Sequence, residues 1–377
     1  MTAAYAITGN ASSLHASGRQ ARKLVEEARE TIAGALGCRP GEVIFTSGGT
    51  ESDNLAIKGL FWARRAGDQR RIQVITSSVE HHAVLDPVEW LGTHEGAVVQ
   101  LIPVDSHGQI DVDALREMVA ADPGSVALIS VMAANNEVGT VQPLNEVVAI
   151  ASEHGIPVHC DAVQAAGVLD LNFAIDGIDA LTVSSHKVGG PHGVGALVAA
   201  RGVAIEALLH GGAHERSRSG TLDAPAIAGF AAALIAAVDQ REQTVARIEV
   251  LRDSLIKGVR HVVPDAVLQG DPVASGRLPG NAHFSFPGCE GDALLMLLDA
   301  RGIECSTGSA CTAGIPEPSH VLLAMGVDPE LARGSLRFSL GSTSTQADVD
   351  ALIEALPAAV DRARRAGRPR IRISSEA

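Results

Sequence analysis

Basic residues are the scarcer charge in this chain. The 30 Lys and Arg face 44 Asp and Glu, and the formal charge of −14 argues against a nucleic-acid surface as its main business. The basic exception, Arg362 to Arg372, reads as a solvated end. Cysteine is also sparse and scattered. Cys38, Cys160, Cys289, Cys305 and Cys311 form no C-x-x-C pair and no His/Cys cluster of zinc spacing, so no metal site is expected and the set suits a reducing compartment. Long apolar runs are missing too. Ala224 to Val238 falls short of the roughly 20 residues that span a bilayer, and it carries Pro225. The N-terminus lacks the basic-then-apolar layout of a signal peptide. These absences leave a soluble, cytoplasmic protein with no membrane role.

Lysine is the scarcest of the common charged residues, and one of the four is oddly placed. Lys23, Lys58 and Lys257 sit in stretches that read as solvated helix faces, whereas Lys187 follows the apolar run Ala180-Leu181-Thr182-Val183 directly. A lysine at a strand mouth can lose solvation, which disfavours the ammonium and frees the amine to attack a carbonyl, as a Schiff base requires. The competing reading is a loop lysine in a salt bridge. The stretch alone does not separate the two.

What is abundant points to an α/β enzyme. Hydrophobic residues make up 46% of the chain, aromatics only 3%, and 39 glycines supply turns between short elements. Its 377 residues suggest two domains, a larger one over residues 1–240 and a smaller one over residues 241–377. Ala21, Leu24, Val25, Ala28, Ile32, Ala35 and Leu36 recur at helical spacing and Gly37 stops the helix. The β-rich run Glu42 to Thr46 leads into Ser47-Gly48-Gly49-Thr50-Glu51 and then a second helix. Such a strand–glycine–helix junction offers unpaired N–H groups at the positive end of the helix dipole, with Thr50 adding a hydroxyl for a phosphate. Gly and Thr also serve simply as turn and cap.

Strand-like and helical runs then alternate: Ile72 to Thr76, a helix around Val84 to Leu91, Val98 to Val104, a helix from Asp111, Val126 to Met132, a helix through Val147 and Ile150. This pattern predicts an open, mainly parallel sheet with ligands at the strands' carboxyl ends. The residues at those ends are His81, Asn136, Asp161 and Gln164. Singly, each reads more simply as a helix-entry histidine, a turn residue, or an N-cap with its helix. Together with Lys187 and the glycine-threonine turn they supply an imidazole to stack, a carboxylate for a pyridine nitrogen, an amide, a phosphate turn and an amine. That is the set a pyridoxal phosphate site needs.

Beyond Val194 to Ala200, one long helical stretch is expected from Ala224 to about Arg260, then a strand at Ala282 to Phe286 and a helix at Asp292 to Leu298. The segment Glu304 to Gly314 holds small residues with little anchoring bulk and reads as a mobile loop. Its Cys311 has only alanine as apolar company, which favours a reactive thiol over a buried one. Cys305, next to Ile303, is the better candidate for an inert thiol. In Ser335-Leu336-Arg337-Phe338-Ser339, Arg337 is a fork suited to a carboxylate or a partner in a structural ion pair.

The chain resembles the cysteine desulfurases of the NifS/IscS type, within the class V aminotransferase group of fold type I pyridoxal phosphate enzymes. The likeness is carried by Phe45 to Ser52, Glu80-His81, Ala134 to Gly139, Asp161-Ala162-Val163-Gln164, Ser184 to Pro191, Arg218-Ser219-Gly220-Thr221, Ser306 to Thr312 and Ser335 to Gly341. It implies a large, mainly parallel seven-stranded sheet domain and a smaller α/β C-terminal domain carrying the Cys311 loop. It further implies a homodimer in which Lys187 binds pyridoxal 5'-phosphate covalently, Asp161 pairs with the pyridine nitrogen, Gln164 meets the ring hydroxyl and His81 stacks on the ring. Gly49, Thr50, Ser184 and His186 would hold the phosphate, with Thr221 reaching it from the other subunit. Asn136 and Arg337 would bind the substrate carboxylate.

The implied reaction turns L-cysteine into L-alanine. Lys187 takes the α-proton, and the Cys311 thiolate takes the sulfur as a persulfide. The sulfur then passes to an acceptor such as an iron–sulfur scaffold or a tRNA-thiolation system, and Cys311 would ligate a cluster at most transiently. Two alternatives stand: an aminotransferase or β-lyase of the same fold, and a truncated, silent binding partner. The second arises because about 25 residues that open such proteins, ahead of the loop at Gly9 to Ser13, have no counterpart here.

Overall fold

The structure, a computed structural model, describes residues 1–212, 215, 217–308 and 318–367. The chain divides into two compact units. The first comprises Met1–Asp105, Gln109–Asn136 and Val141–Gln243; the second takes Ser106–Gly108, Glu137–Thr140 and the chain from Thr244 onward.

The first unit opens with α1 (Ala16–Leu36), whose apolar stripe of Ala21, Val25, Ala28, Ile32 and Leu36 is buried. Gly37 ends it at φ 67°, a left-handed cap that a side chain would strain. There follow β1 (Val43–Thr46), α2 (Gly49–Gly67), β2 (Gln73–Ser77), α3 (His82–Glu95), β3 (Val98–Ile102) and α4 (Val112–Ala121). Next come β4 (Val126–Ser130), α5 (Leu144–Ser152), β5 (Val158–Asp161), α6 (Phe173–Asp176), β6 (Ala180–Ser184) and β7 (Gly195–Ala199). Two helices, α7 (Ala224–Asp239) and, belonging from Thr244 to the second unit, α8 (Arg241–Val262), replace the single helix expected from Ala224 to Arg260. The break at Gln240 has no proline or glycine to announce it. No helix among the described residues is long and apolar enough to cross a membrane.

The seven strands form one sheet in the order β1-β7-β6-β5-β4-β2-β3. All pairings are parallel except those of β7, which runs against both β6 and β1. Six strands therefore point their carboxyl ends at one edge. Burial on both faces explains why β4 and β6 read as almost continuous apolar runs. One face packs Val43, Phe45, Cys160, Leu181, Val183 and Val198 against α1 and α7. The opposite face packs Val74, Leu128, Ala180 and Leu197 against Leu55, Leu60 and Phe61 of α2. Strand β3 stops at Ile102, short of Val104, and its Val98 and Leu101 are exposed because it is an edge strand.

In the second unit, β8 (Val267–Gln269), β9 (Asn281–Ser285) and β10 (Ser335–Ser339) make an antiparallel sheet in the order β10-β9-β8. Its remaining helices are α9 (Gly291–Asp299), α10 (His320–Ala324), α11 (Pro329–Arg333) and α12 (Gln346–Gly367). Phe284, Phe286, Leu294, Leu298, Leu336, Leu352 and Leu356 form its core. The basic tail is in part a correction to the sequence reading. Arg362, Arg364 and Arg365 belong to the last turns of α12, and Arg364 bonds Asp265 at 2.7 Å and the carbonyl of Pro287.

Candidate active site

The first unit gathers the residues singled out from sequence at the carboxyl edge of its sheet. Gly48, at φ 152°, precedes α2, so the helix begins at Gly49 with its first N–H groups facing out of the edge. Gly49 is close-packed. A Cβ there would lie 2.9 Å from Val163 Cγ2 and 3.7 Å from Ser184 Cβ, so the backbone, not a side chain, forms this wall. Thr50 beside it is exposed. Ser184, buried at the end of β6, bonds its Oγ to His186 Nδ1 at 2.9 Å. Helix start, Gly49, Ser184 and His186 thus form one anion-directed corner, where the dipole of α2 favours an anion by about 0.3–2 kcal/mol.

Asp161 closes β5 and is 6% exposed. Burial raises its carboxyl to about 6, while the N–H of Val163, 2.8 Å from Oδ1, and the charge of Lys187 pull it down. Gln164 is half-buried in the turn that follows, so Asp161 caps a turn rather than a helix. Lys187 lies on a 3-10 turn, Ser185–Val188, immediately beyond β6. It is exposed, which corrects the expectation of a desolvated amine at a strand mouth. The 3-10 turn carries the side chain out past the last buried position, Ser185.

His81 is the N-cap of α3: its Nδ1 accepts the N–H of Ala83 at 3.1 Å, which leaves the proton of a neutral ring on Nε2. The helix-entry role and the stacking role are compatible, since the side chain is otherwise exposed. Asn136 is half-buried in a turn anchored by its neighbour Asn135, whose Nδ2 donates to the carbonyl of Val79 at 2.8 Å. Thr221 is exposed. The segment leading to it is tied to the first turn of α2, because Arg218 Nε donates to Glu51 Oε1 at 2.8 Å. Although burial pushes the Glu51 carboxyl up, Arg218 and the Ser47 N–H hold it below its usual range, so the acid at this helix start is neutralised by a partner.

Arg337 belongs to the second unit. It sits mid-strand on β10, paired with His283 across the ladder. Its backbone exchanges both hydrogen bonds with Ser306, at 2.6 and 3.1 Å, which fixes the segment entering the residues around Cys311. Cys311 itself lies outside the described residues. Cys305 packs on the core of the second unit, and burial pushes its thiol up to about 11, as expected of the inert one. Lys58 departs from the solvated reading: its Nζ sits 4.3 Å from the Trp90 ring centroid.

Two features escaped the sequence reading. One is a polar row under α2. Strand register places Thr76 beside Ser130, Ser130 beside His159, and Asp161 beside Thr182, all on the face that α2 covers. Asp53 drops onto that row from α2. The other is the Arg218–Glu51 pair. A cavity of about 820 Å³ also opens at the opposite edge of the sheet, lined by Arg64, Asp68, Arg71 and Asp179 among others, and none of the site residues touches it.

A mainly parallel sheet with an amine, a buried acid and an anion corner at one carboxyl edge is the architecture of a fold type I pyridoxal phosphate enzyme. Residues 2–352 match the Aminotransferase class-V family, and the chain belongs to it. It is 58% identical to the IscS-like cysteine desulfurase of Mycobacterium tuberculosis, over 97% of this chain and 93% of that one. It is 43% identical to the cysteine desulfurase IscS of Dictyoglomus turgidum, over 94% of this chain and 88% of that protein. Among solved structures, a NifS-like protein superposes with a TM-score of 0.86 at 35% identity, covering 94% of this chain and 92% of the other.

Proposed function

We propose that this chain is a pyridoxal 5'-phosphate-dependent cysteine desulfurase that acts on L-cysteine as a homodimer and hands sulfur to an acceptor protein. The observation that carries the reading is the close-packed wall at Gly49, set against Ser184 and Val163, with Asp161 within the field of Lys187. The cofactor fits this donor set: N–H groups and hydroxyls for a phosphate, a carboxylate for a ring nitrogen, an amine for an aldehyde. When bound, it supplies a sink for the electrons released at the substrate's α-carbon.

Each side chain has a task that its position supports. The start of α2, Gly49, Thr50, Ser184 and His186 hold the phosphate, with Thr221 available to a second copy of the chain. Asp161 keeps a proton on the ring nitrogen, and its half-buried neighbour Gln164 meets the ring hydroxyl. The His81 ring stacks on the cofactor face. Lys187 Nζ holds the cofactor and then takes the α-proton, for which its exposed turn gives it reach. Asn136 and Arg337 take the substrate carboxylate. Cys311 Sγ, as thiolate, takes the substrate sulfur; the carbon–sulfur bond breaks, a persulfide remains on the chain and alanine leaves.

The test is a single incubation with L-cysteine and no oxo acid. Alanine and a persulfide on Cys311, read by alkylation and mass spectrometry, are expected in equal amounts. Cys311→Ser abolishes both while keeping the visible band of the cofactor, and Lys187→Ala removes that band. Turnover by Cys311→Ser, or an oxo-acid requirement, assigns the chain to the aminotransferase or lyase class instead.

A further inference from the structure

Beneath the site, four polar side chains that the proposed reaction does not use are packed into the interior. Asp53 is 1% exposed and His159, Thr182 and Ser130 are 0% exposed. His159 Nε2 lies 3.0 Å from Thr182 Oγ1 and 3.5 Å from Asp53 Oδ1, and its Nδ1 lies 2.8 Å from Ser130 Oγ. Thr182 also bonds the Asp53 carboxyl. His159 stands two residues before Asp161 on the same face of β5, and Thr182 is the cross-strand partner of Asp161. Asp53 is one helical turn after Gly49. The helix that forms the anion corner therefore also presses on the array behind Asp161.

We propose that Asp53, Thr182 and His159 are positioning residues, a relay in which Asp53 keeps its proton so that Asp161 alone presents negative charge to the cofactor's ring nitrogen. The inference rests on the cofactor reading above. Its first support is the absence of a counter-charge beside Asp53 among the described residues. The acids that act on Asp53 are Asp161 on β5 and Glu80 after β2; burial pushes the Glu80 carboxyl well above its usual range too, so the negative charge facing Asp53 is that of Asp161, on which the charge of Lys187 acts. His159 is neutral, because burial pushes its imidazole down to about 3. Asp53 Oδ1 has no hydrogen-bond partner among the described residues. An ionised carboxylate in that position would be desolvated, bare at one oxygen and flanked by like charge, a combination that interiors exclude. Burial, then Asp161, raise the Asp53 carboxyl well above its usual range.

The second support is proton counting. With Asp53 as the acid, its O–H donates to Thr182 Oγ1, the Thr182 hydroxyl donates to His159 Nε2, and His159 Nδ1–H donates to Ser130 Oγ. Both ring nitrogens and both hydroxyls are then satisfied. If Asp53 ionised, a second negative charge would compete with Asp161 for the ring-nitrogen proton, and the Thr182 hydroxyl would turn from His159 to Asp53. The relay thus sets the charge beside Asp161, whose own carboxyl is oriented by the N–H of Val163. Cys160, on the same strand, feels the same acids but faces the opposite core, so it takes no part.

The experiment titrates the visible absorbance of the full-length, cofactor-loaded chain against pH in three variants. Asp53→Asn donates as the acid does, and it is expected to keep the wild-type midpoint. Thr182→Val and Asp53→Leu cut the relay. The ring nitrogen then holds its proton less well, the ring loses positive charge, and the lysine-linked nitrogen keeps its own proton longer, so the midpoint rises by roughly half a pH unit or more. A midpoint displaced in either direction by roughly half a unit or more in Asp53→Asn would show a charged Asp53 and overturn the proposal, as would Thr182→Val at the wild-type midpoint. Infrared spectra of the wild-type chain and of Asp53→Asn, which need no cofactor, settle the case of a variant that folds poorly: a carboxylic-acid C=O band lost in the variant supports the relay, and its absence from the wild type refutes it. A chain that shows this band but never acquires the visible one refutes the cofactor reading separately.

Discussion

Asp161→Asn in the cofactor-free chain should stabilise the protein at neutral pH and cost it the cofactor. Burial raises the Asp161 carboxyl from 3.8 to about 6. A raised acid binds its proton more tightly folded than unfolded, so the native state gives up stability as pH climbs from about 4 to 6 and regains none above that. The difference of about two units is worth roughly 3 kcal/mol, fully developed above pH 6 and absent below pH 4. Asparagine carries no such term, and its Oδ1 still accepts from the N–H of Val163. Denaturant midpoints of wild type and variant should therefore coincide near pH 4 and separate in favour of the variant by pH 8. The same variant should bind pyridoxal phosphate far more weakly, since the charge that holds the ring-nitrogen proton is gone. A gap of constant size across that range, or a variant that loses stability as pH rises, would refute the electrostatic account of Asp161.

Three further outcomes are expected. Glu215→Ala removes the two-pronged partner of Arg29, which is 8% exposed and bonded to Glu215 at 2.6 and 3.0 Å but keeps Glu26 and the carbonyl of Val43, and should cost roughly 1–3 kcal/mol in chemical unfolding. Gly49→Val places a branched side chain where a single Cβ is already 2.9 Å from Val163, and the apparent affinity for the cofactor, read by titrating its absorbance, should fall at least tenfold. Leu60→Ala, at a site with no exposure and far from the anion corner, should lower stability by about 2–5 kcal/mol and leave cofactor binding intact.

The residues that read clearly from sequence were those whose signal is local. The helix α1 and its Gly37 cap, the strand–glycine–helix junction at Gly48-Gly49, and the alternating runs from β2 to β6 each declare themselves within a dozen residues. Two elements misled for the same reason in reverse. The Ala-rich α7 runs into the charged α8 without a breaker, and the arginines at the end of α12 look like a solvated tail unless Asp265, a hundred residues upstream, is known to be beside Arg364. Lys187 was found by its scarcity and its neighbours, but its exposure depends on a 3-10 turn that propensity does not announce.

What stayed hidden is the part of the site that depends on strand register. Ser130, His159 and Thr182 are unremarkable in their own segments: a serine after an aliphatic run, a histidine beside a cysteine, a threonine inside a strand. Only the order β4-β5-β6, with the pairings Ser130 to His159 and Asp161 to Thr182, sets them in one row, and only α2 lying over that row brings Asp53 to it. A buried polar row is costly unless its members satisfy one another. Its survival beneath an otherwise aliphatic helix–sheet contact therefore calls for a function. Asp161, which the sequence marks for the cofactor's ring nitrogen, stands at the end of that row, two residues from His159 and across the ladder from Thr182, so the protonation of Asp53 in the same row bears on the charge around it.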